Sequence, residues 1–395
     1  MRGMSLGLFA AGWIVGLWMD LAPTCAADET VAVRDRAGLV QALGRAAAGT
    51  KILIEPGTYA GGIVQARLRG SPRKPIVIAA ANPDRPPVIR GGASGLQLSS
   101  PEHVELKDLI FEAATANGLN IDDSGSSETP AHHVVVRNIS VREVGPRGNR
   151  DGIKLSGLRD FVVEECRVEQ WGSSGSAIDM VGCQDGIVRG CRFLDAGGDF
   201  ANGVQAKGGS RKILIQRCHF ENAGGRALNI GGHTGLPYFR PKLETFEAQD
   251  ITVEDCEIRG GMSAICFVGV DGAVVRHNTI VRPTRWPIRI LQENLDSRFV
   301  PCRDGRFERN IVVFRSDEMR QLVNIGGQTS PETFRFTGNV WYCADHPGDT
   351  RRLVEVPGDE KESRYATETD FRNPRDGDYR LKDAAADAAG PRPEK

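Results

Sequence analysis

Residues 201–232 read ANGVQAKGGSRKILIQRCHFENAGGRALNIGG, and this stretch decides the fold. A short apolar-alternating run, Gly203 to Lys207, ends in Gly-Gly. A second run follows from Ile213 to Cys218, and a third short piece from His219 to Glu221 leads into Asn-Ala-Gly-Gly. The first pattern then restarts at Arg226-Ala-Leu-Asn-Ile-Gly-Gly. One turn of a repeat has been completed.

About eight such turns can be aligned on the apolar pair. They are NGLNIDD from Asn117, DGIKLSG from Asp151, SAIDMVG from Ser176, NGVQAKG from Asn202, RALNIGG from Arg226, SAICFVG from Ser263, WPIRILQ from Trp286 and QLVNIGG from Gln321. The starts are separated by 34, 25, 26, 24, 37, 23 and 35 residues, a basic period near 24 with roughly ten residues inserted in three places. In a second column one position is always Asn or Cys: Asn138, Cys166, Cys191, Cys218, Cys256, Asn278, Asn310 and Asn339. Short β runs at a fixed period with Gly-rich corners define a β-solenoid. A propeller blade needs about 40 residues per repeat. A βαβ unit needs an amphipathic helix between strands, and the sequence has none there. The expected fold is all-β, a right-handed parallel β-helix with the Asn/Cys column stacked inside; the hand follows from the crossover preference.

Working outward, residues 1–27 read as a cleaved secretory signal peptide: Arg2, an apolar run from Met4 to Met19, then small residues after Cys25. Acylation of Cys25 is disfavoured by the Ala-Pro-Thr before it. No stable membrane span is expected. Residues 28–111 are expected to hold a cap and less regular first coils. A helix over 35–48, with Asp35 as N-cap and Leu39, Val40 and Leu43 on its apolar face, would close the open end of the solenoid. Regular coils are expected over 112–345. Residues 346–395 form an irregular charged segment with a last strand at Tyr379 and a disordered tail after Gly390. With 50 Lys+Arg against 51 Asp+Glu, no charge excess points to nucleic acid. The chain has nine cysteines. Stacked ladder neighbours have poor disulfide geometry, which leaves Cys183, Cys266, Cys302 and Cys343 as open candidates for pairing. No CxxC or His-rich zinc spacing is present.

The residue between each apolar pair points outward. That column reads Asn120, Lys154, Asp179, Gln205, Asn229, Cys266, Arg289, Asn324, and the next outward position adds Asp122, Ser156 and Lys207. Exposed positions are polar by default; the clustering of Lys154, Asp179, Gln205, Lys207 and Asn229 is what suggests a strip for an extended polymer. The loop after Gly232 carries His233, Tyr238, Phe239 and Arg240 beside it, and long loops often carry function. Its aromatics either stack on sugar rings or pack down on the solenoid, and Arg240 could grip a carboxylate. Trp286, Arg289 and Glu293 either extend the strip or pair among themselves.

With these motifs in hand, the chain resembles the right-handed parallel β-helix polysaccharide lyases, above all the chondroitinase B and alginate lyase branch. The likeness covers most of 50–345 as a fold and is densest in NGVQAKGGSRKILIQRCHFENAG. It implies Lys207 as Brønsted base. The family's Arg on the following coil has no direct counterpart: Asn229 and Ile230 stand there, and Arg226 is the nearest. The family's calcium site corresponds to Asn202 and Gln205, without a Glu, so calcium is an option and no cofactor is certain. The implied chemistry is β-elimination on an acidic, uronate-containing polysaccharide. Arg226 or Arg240 would neutralise the carboxylate, Lys207 or His233 would take the C5 proton, and Tyr238 or His233 would return one to the leaving oxygen. Lys154, Asp179, Gln205, Asn229, Trp286 and Arg289 would bind the chain. Two other readings stay open. A glycoside hydrolase of the same fold would use clustered carboxylates such as Asp151, Asp179 and Asp199. A non-catalytic glycan-binding surface is the third.

Overall fold

A computed structural model describes residues 29–145, 147–383 and 389–393. The proposed signal peptide lies outside the described residues.

Three long parallel sheets run the length of the molecule, with 13, 12 and 10 strands. Each coil crosses them in turn. One coil, for example, uses Asn202–Lys207, Ser210–Gln216 and His219–Glu221 before Arg226–Gly231 returns to the ten-stranded sheet. All eight aligned short strands lie in that ten-stranded sheet, joined by Ile63–Ala66 and Ser94–Ser99 from the early coils. Coils before 112 therefore belong to the same three-sided tube.

The alternation of side chains explains why these segments stack. In the ten-stranded sheet Ile178, Val204 and Leu228 are in register, as are Met180, Ala206 and Ile230. All six are buried, so each coil completes the apolar surface of its neighbours.

The Asn/Cys ladder forms at a corner. Cys166, Cys191, Cys218, Cys256, Asn278, Asn310 and Asn339 are all buried. The backbone N–H of Cys256 donates to Asn278 Oδ1 (2.9 Å), that of Asn278 to Asn310 Oδ1 (3.0 Å), and that of Asn310 to Asn339 Oδ1 (2.9 Å). These amides satisfy corner N–H groups that no strand partner reaches. Asn138 departs from the expectation. It sits one residue before the ladder, exposed, at φ 50°, with its amide donating to Asp108 Oδ1 (2.6 Å); Ile139 fills the buried position. The residue before each ladder position adopts this left-handed conformation, as at Glu165, Arg217, Asp255, His277 and Arg309, and Asn tolerates it well.

The cap is helix Arg36–Arg45, with Asp35 accepting from the Gly38 N–H (2.7 Å). It packs on Thr30–Val33, Lys51–Ile54 and Ile63–Ala66. Leu39, Ala42 and Leu43 are buried, whereas Val40 faces solvent. At the other end an antiparallel pair, Phe371–Asn373 and Asp378–Leu381, closes over Tyr342. The tail is not loose: Arg392 lies along Asp255, donating from Nε (2.9 Å) and Nη2 (2.7 Å). All eight cysteines among the described residues are unpaired and buried, so Cys183, Cys266, Cys302 and Cys343 form no disulfide.

Candidate active site

The outward column is in register throughout: Asn120, Lys154, Asp179, Gln205, Asn229, Cys266, Arg289 and Asn324 lie side by side across the ten-stranded sheet. It is not uniformly wet. Asp179, Gln205, Asn229 and Cys266 are buried: Lys154 and Lys207 lie against Asp179, Arg226 contacts Asn229, and Cys266 packs with Val268 and Leu291. What remains open is a cavity of about 610 Å³. Lys207, Gln205, Asn229, Arg226, His233 and Trp286 line it, together with Arg285, Arg289, Glu293, Asn202, Asp199 and Phe200.

Lys207 sits at the floor, where its Nζ donates to Gln205 Oε1 (3.1 Å) and lies 3.6 Å from Asp179 Oδ1. Ser176 Oγ donates to the same Gln205 oxygen (3.3 Å), which fixes the amide. Behind it lies a polar cluster. Lys154 is ion-paired to Asp179 and lies 3.4 Å from Asp151 Oδ2. Burial, reinforced by the neighbouring Asp179 charge, pushes the Asp151 carboxyl up to about 6. Burial would lower Lys154, but the two carboxylates outweigh it and raise it instead. Lys154 is thus a buried counter-ion, not a group that grips a ligand. Lys207 too faces a carboxylate, that of Asp179.

Arg240 is also engaged elsewhere. It donates from Nε to Asp123 Oδ2 (2.7 Å) and from Nη2 to Asp123 Oδ1 (3.1 Å), and Asp123 is fully buried. The guanidinium passes over Gly157 and Gly182, both at positive φ, where an added Cβ would meet Asp123 Oδ2 at 2.1 Å and Arg240 Cβ at 2.3 Å. Glycine is needed there for the loop to lie down. Arg240 therefore straps the insertion to earlier coils and does not reach the cavity. Tyr238 is exposed and also lies outside the cavity lining, while Phe239 is buried against Phe299, ring centroids 5.3 Å apart. The aromatic part of the loop packs down.

The root of the insertion is held by a residue the sequence reading missed. Glu247, fully buried, accepts from the N–H groups of Gly208 (2.9 Å) and Thr234 (2.8 Å), from Thr234 Oγ1 (2.8 Å) and from Asn294 (3.2 Å). This seats His233. Its Nδ1 lies 3.1 Å from the Glu293 carbonyl oxygen. A carbonyl only accepts, so Nδ1 carries the proton and Nε2 is left as the acceptor.

Cations at the far wall divide into two kinds. Arg226 is ion-paired to Glu293 and touches Asn229 Oδ1 (3.3 Å). Arg285 and Arg289 both lie over the Trp286 ring as cation–π partners, 4.5 and 4.3 Å from its centroid. Arg289 Nε donates to Asn324 Oδ1 (3.0 Å). Neither Arg285 nor Arg289 has an acidic partner among the described residues. Arg289 and Glu293 do not pair with each other, since Glu293 goes to Arg226. Arg285 was absent from the expected site, because an Arg at a turn carries no periodic signal.

A calcium ion does not fit these residues. Calcium takes 6–8 oxygen ligands, whereas the Asp179 carboxylate, which pairs with Gln205 across the sheet, is already covered by the Lys154 and Lys207 ammonium groups. Asn202 contributes only to the cavity lining.

The tube, its three sheets and its corner ladder define a right-handed parallel β-helix protein. Residues 117–285 match the family model described as right handed beta helix region, and residues 33–154 match the one described as chondroitinase B. No curated protein matches the chain in sequence. Among solved structures it is similar to an alginate lyase from Paenibacillus sp. str. FPU-7 (16% identity, 77% of this chain and 100% of that one, TM-score 0.50). It is also similar to a PL6 family polysaccharide lyase from Pseudopedobacter saltans (14%, 92% and 100%, TM-score 0.56). A lacto-N-biosidase from Eubacterium ramulus matches as well (14%, 86% and 68%, TM-score 0.59). At these identities the structural likenesses establish the fold, and both lyases and a glycosidase share it.

Proposed function

We propose that this protein is a polysaccharide lyase that cleaves an acidic, uronate-containing polymer by β-elimination, with Lys207 as the base. The observation that carries the reading is the pairing of two features of one cavity. Lys207 stands on the floor, and Arg285 and Arg289, guanidinium groups with no acidic partner among the described residues, lie over Trp286 on the wall. A uronate ring lying between them would place its carboxylate against the guanidinium groups. The match of residues 33–154 to the chondroitinase B family model and the likeness to lyases of the same fold support the same class.

In this reaction the C5–H bond breaks and its proton goes to the base. The C4=C5 double bond forms as the C4–O bond breaks, and the leaving oxygen takes a proton. Arginine charge beside the carboxylate makes the developing enolate tolerable. Lys207 is the first candidate for proton abstraction. His233, oriented by the Glu293 carbonyl with Nε2 left to accept, is the second candidate base, and the protonated base returns its proton to the leaving oxygen.

The test is to incubate the protein with a panel of acidic polysaccharides and follow ultraviolet absorbance of the unsaturated uronate. Its appearance, dependent on Lys207, supports elimination. New reducing ends without that chromophore would replace this reading with a glycosidase, for which Asp199 and Glu293 in the cavity lining are the available carboxylates. Binding without cleavage would leave a glycan-binding surface. Export belongs to the same proposal: residues 1–27 would be removed to leave a mature chain beginning near Asp28.

A further inference from the structure

Three of the chain's seven histidines, His103, His132 and His133, gather at one point on the 13-stranded sheet. They come from two adjacent coils, Glu102–Lys107 and Ala131–Arg137. The register pairs Glu102 with His132 and Val104 with Val134, which sets His103 opposite His133. One ring nitrogen from each of the three lies within 4.8 Å of the others, and the Nδ1 atoms of His132 and His133 are 2.8 Å apart. The ring centroids are 4.4 to 5.4 Å apart. None of the three lines the cavity.

We propose that these three imidazoles form a binding site for a divalent zinc ion that joins two neighbouring coils. Three neutral imidazole nitrogens are a donor set that zinc accepts, and they leave a fourth tetrahedral position for water. At Zn–N distances of about 2.0–2.1 Å, small rotations of half-exposed rings bring the nitrogens into place. A second feature points the same way. With Nδ1 of His132 turned toward His133, its Nε2 lies 3.8 Å from Glu102 Oε1. Closing that gap as the ring turns onto the metal would let Nε2–H donate to Glu102, the contact that orients a ligand histidine and raises its basicity. Glu102 is itself held by Arg69. The site is separate from the proposed catalytic cavity and does not depend on the lyase reading.

The experiment is calorimetric titration of zinc sulfate into the chelator-treated mature chain, alongside His103→Ala, His133→Ala and Glu102→Gln. One zinc per chain is expected, with affinity falling at least tenfold in each histidine variant. Glu102→Gln should weaken binding by roughly 10–100-fold, as for other outer-sphere partners of metal-bound histidines. Cobalt(II) loading of the unaltered chain offers a readout independent of any variant: four-coordinate absorption bands and paramagnetically shifted imidazole protons from three rings. Absence of saturable zinc uptake by the unaltered chain would overturn the site, and so would unchanged affinity in the folded His103→Ala and His133→Ala variants. So would a cobalt spectrum without shifted imidazole protons.

Discussion

At the scale of single residues, the arginines of this protein separate by what already occupies them. Arg240 and Arg226 both looked able to neutralise a substrate carboxylate, but Arg240 spends its guanidinium on buried Asp123 and Arg226 pairs with Glu293. Arg240→Ala should therefore cost stability, on the order of 3–5 kcal/mol for a buried charge left alone, measurable by chemical denaturation. Arg289→Ala should leave the denaturation midpoint nearly unchanged and lower kcat as well as raise KM, because the contact holds the carboxylate in the ground state and strengthens as enolate charge develops. Lys207→Ala should lower turnover by about two orders of magnitude or more with the fold kept, since Lys154 remains as the counter-ion of Asp179; near-normal turnover would pass the role of base to His233. Asp151 makes a separate, pH-dependent prediction. Its folded value of about 6 lies above the ordinary 3.8, so its contribution is fully present below 3.8 and is lost as pH climbs through about 6. Asp151→Asn stays neutral. Its stability relative to the parent should rise across that interval by roughly 2–3 kcal/mol and then level off. A difference that stays flat from pH 3.8 to 6 would show that Asp151 titrates normally.

At the scale of elements, the sequence revealed the strand columns because the cause of each is local. Inward apolar pairs such as Val204 and Ala206 and the outward residue between them follow from a two-residue period, and the register bears out every member of the outward column. The buried corner ladder was legible for seven of its eight members. It failed at Asn138 because two adjacent positions at each corner favour Asn for different reasons, one buried and one at positive φ. The insertion was harder still. Its position was plain from the break in period, yet the strap of Arg240 on Asp123 spans 117 residues of sequence, and no short-range pattern reports such a contact. Glu247 was invisible for the same reason. The ladder supports its own prediction. Asn310→Ala would leave the Asn278 N–H and the Val275 carbonyl without the partners that Asn310 supplies. Each buried unmet group costs about 1–3 kcal/mol, so the midpoint of thermal unfolding should drop well below that of Cys191→Ala, which removes only a small buried thiol.

At the scale of the whole molecule, a solenoid holds together through neighbour-to-neighbour contacts, and its weak points are its ends. The N-terminal end is covered by helix Arg36–Arg45. The C-terminal end uses a contact that crosses several coils. Arg392 reaches back to Asp255 and Glu254, and the Gly390 N–H donates to the Arg309 carbonyl (2.9 Å). A charged tail after Gly390 looked unable to order itself, and by composition it is. What orders it is Asp255, a carboxylate at the corner position just before the ladder. Burial would raise its pKa, but the Arg392 bonds outweigh that and hold it below the ordinary carboxylate value. With the folded value depressed, this stability is present above the ordinary value of 3.8 and is lost as pH falls through the folded one. Arg392 is partly solvated, so Arg392→Ala should cost only about 1 kcal/mol globally after screening. Its local effect should be larger. Amide hydrogen exchange at Glu257–Arg259 and along 389–393 should speed up at neutral pH, and the difference from the parent should shrink on acidification as Asp255 takes up its proton. Unchanged exchange in both segments would mean that the strap contributes nothing to closing this end of the tube.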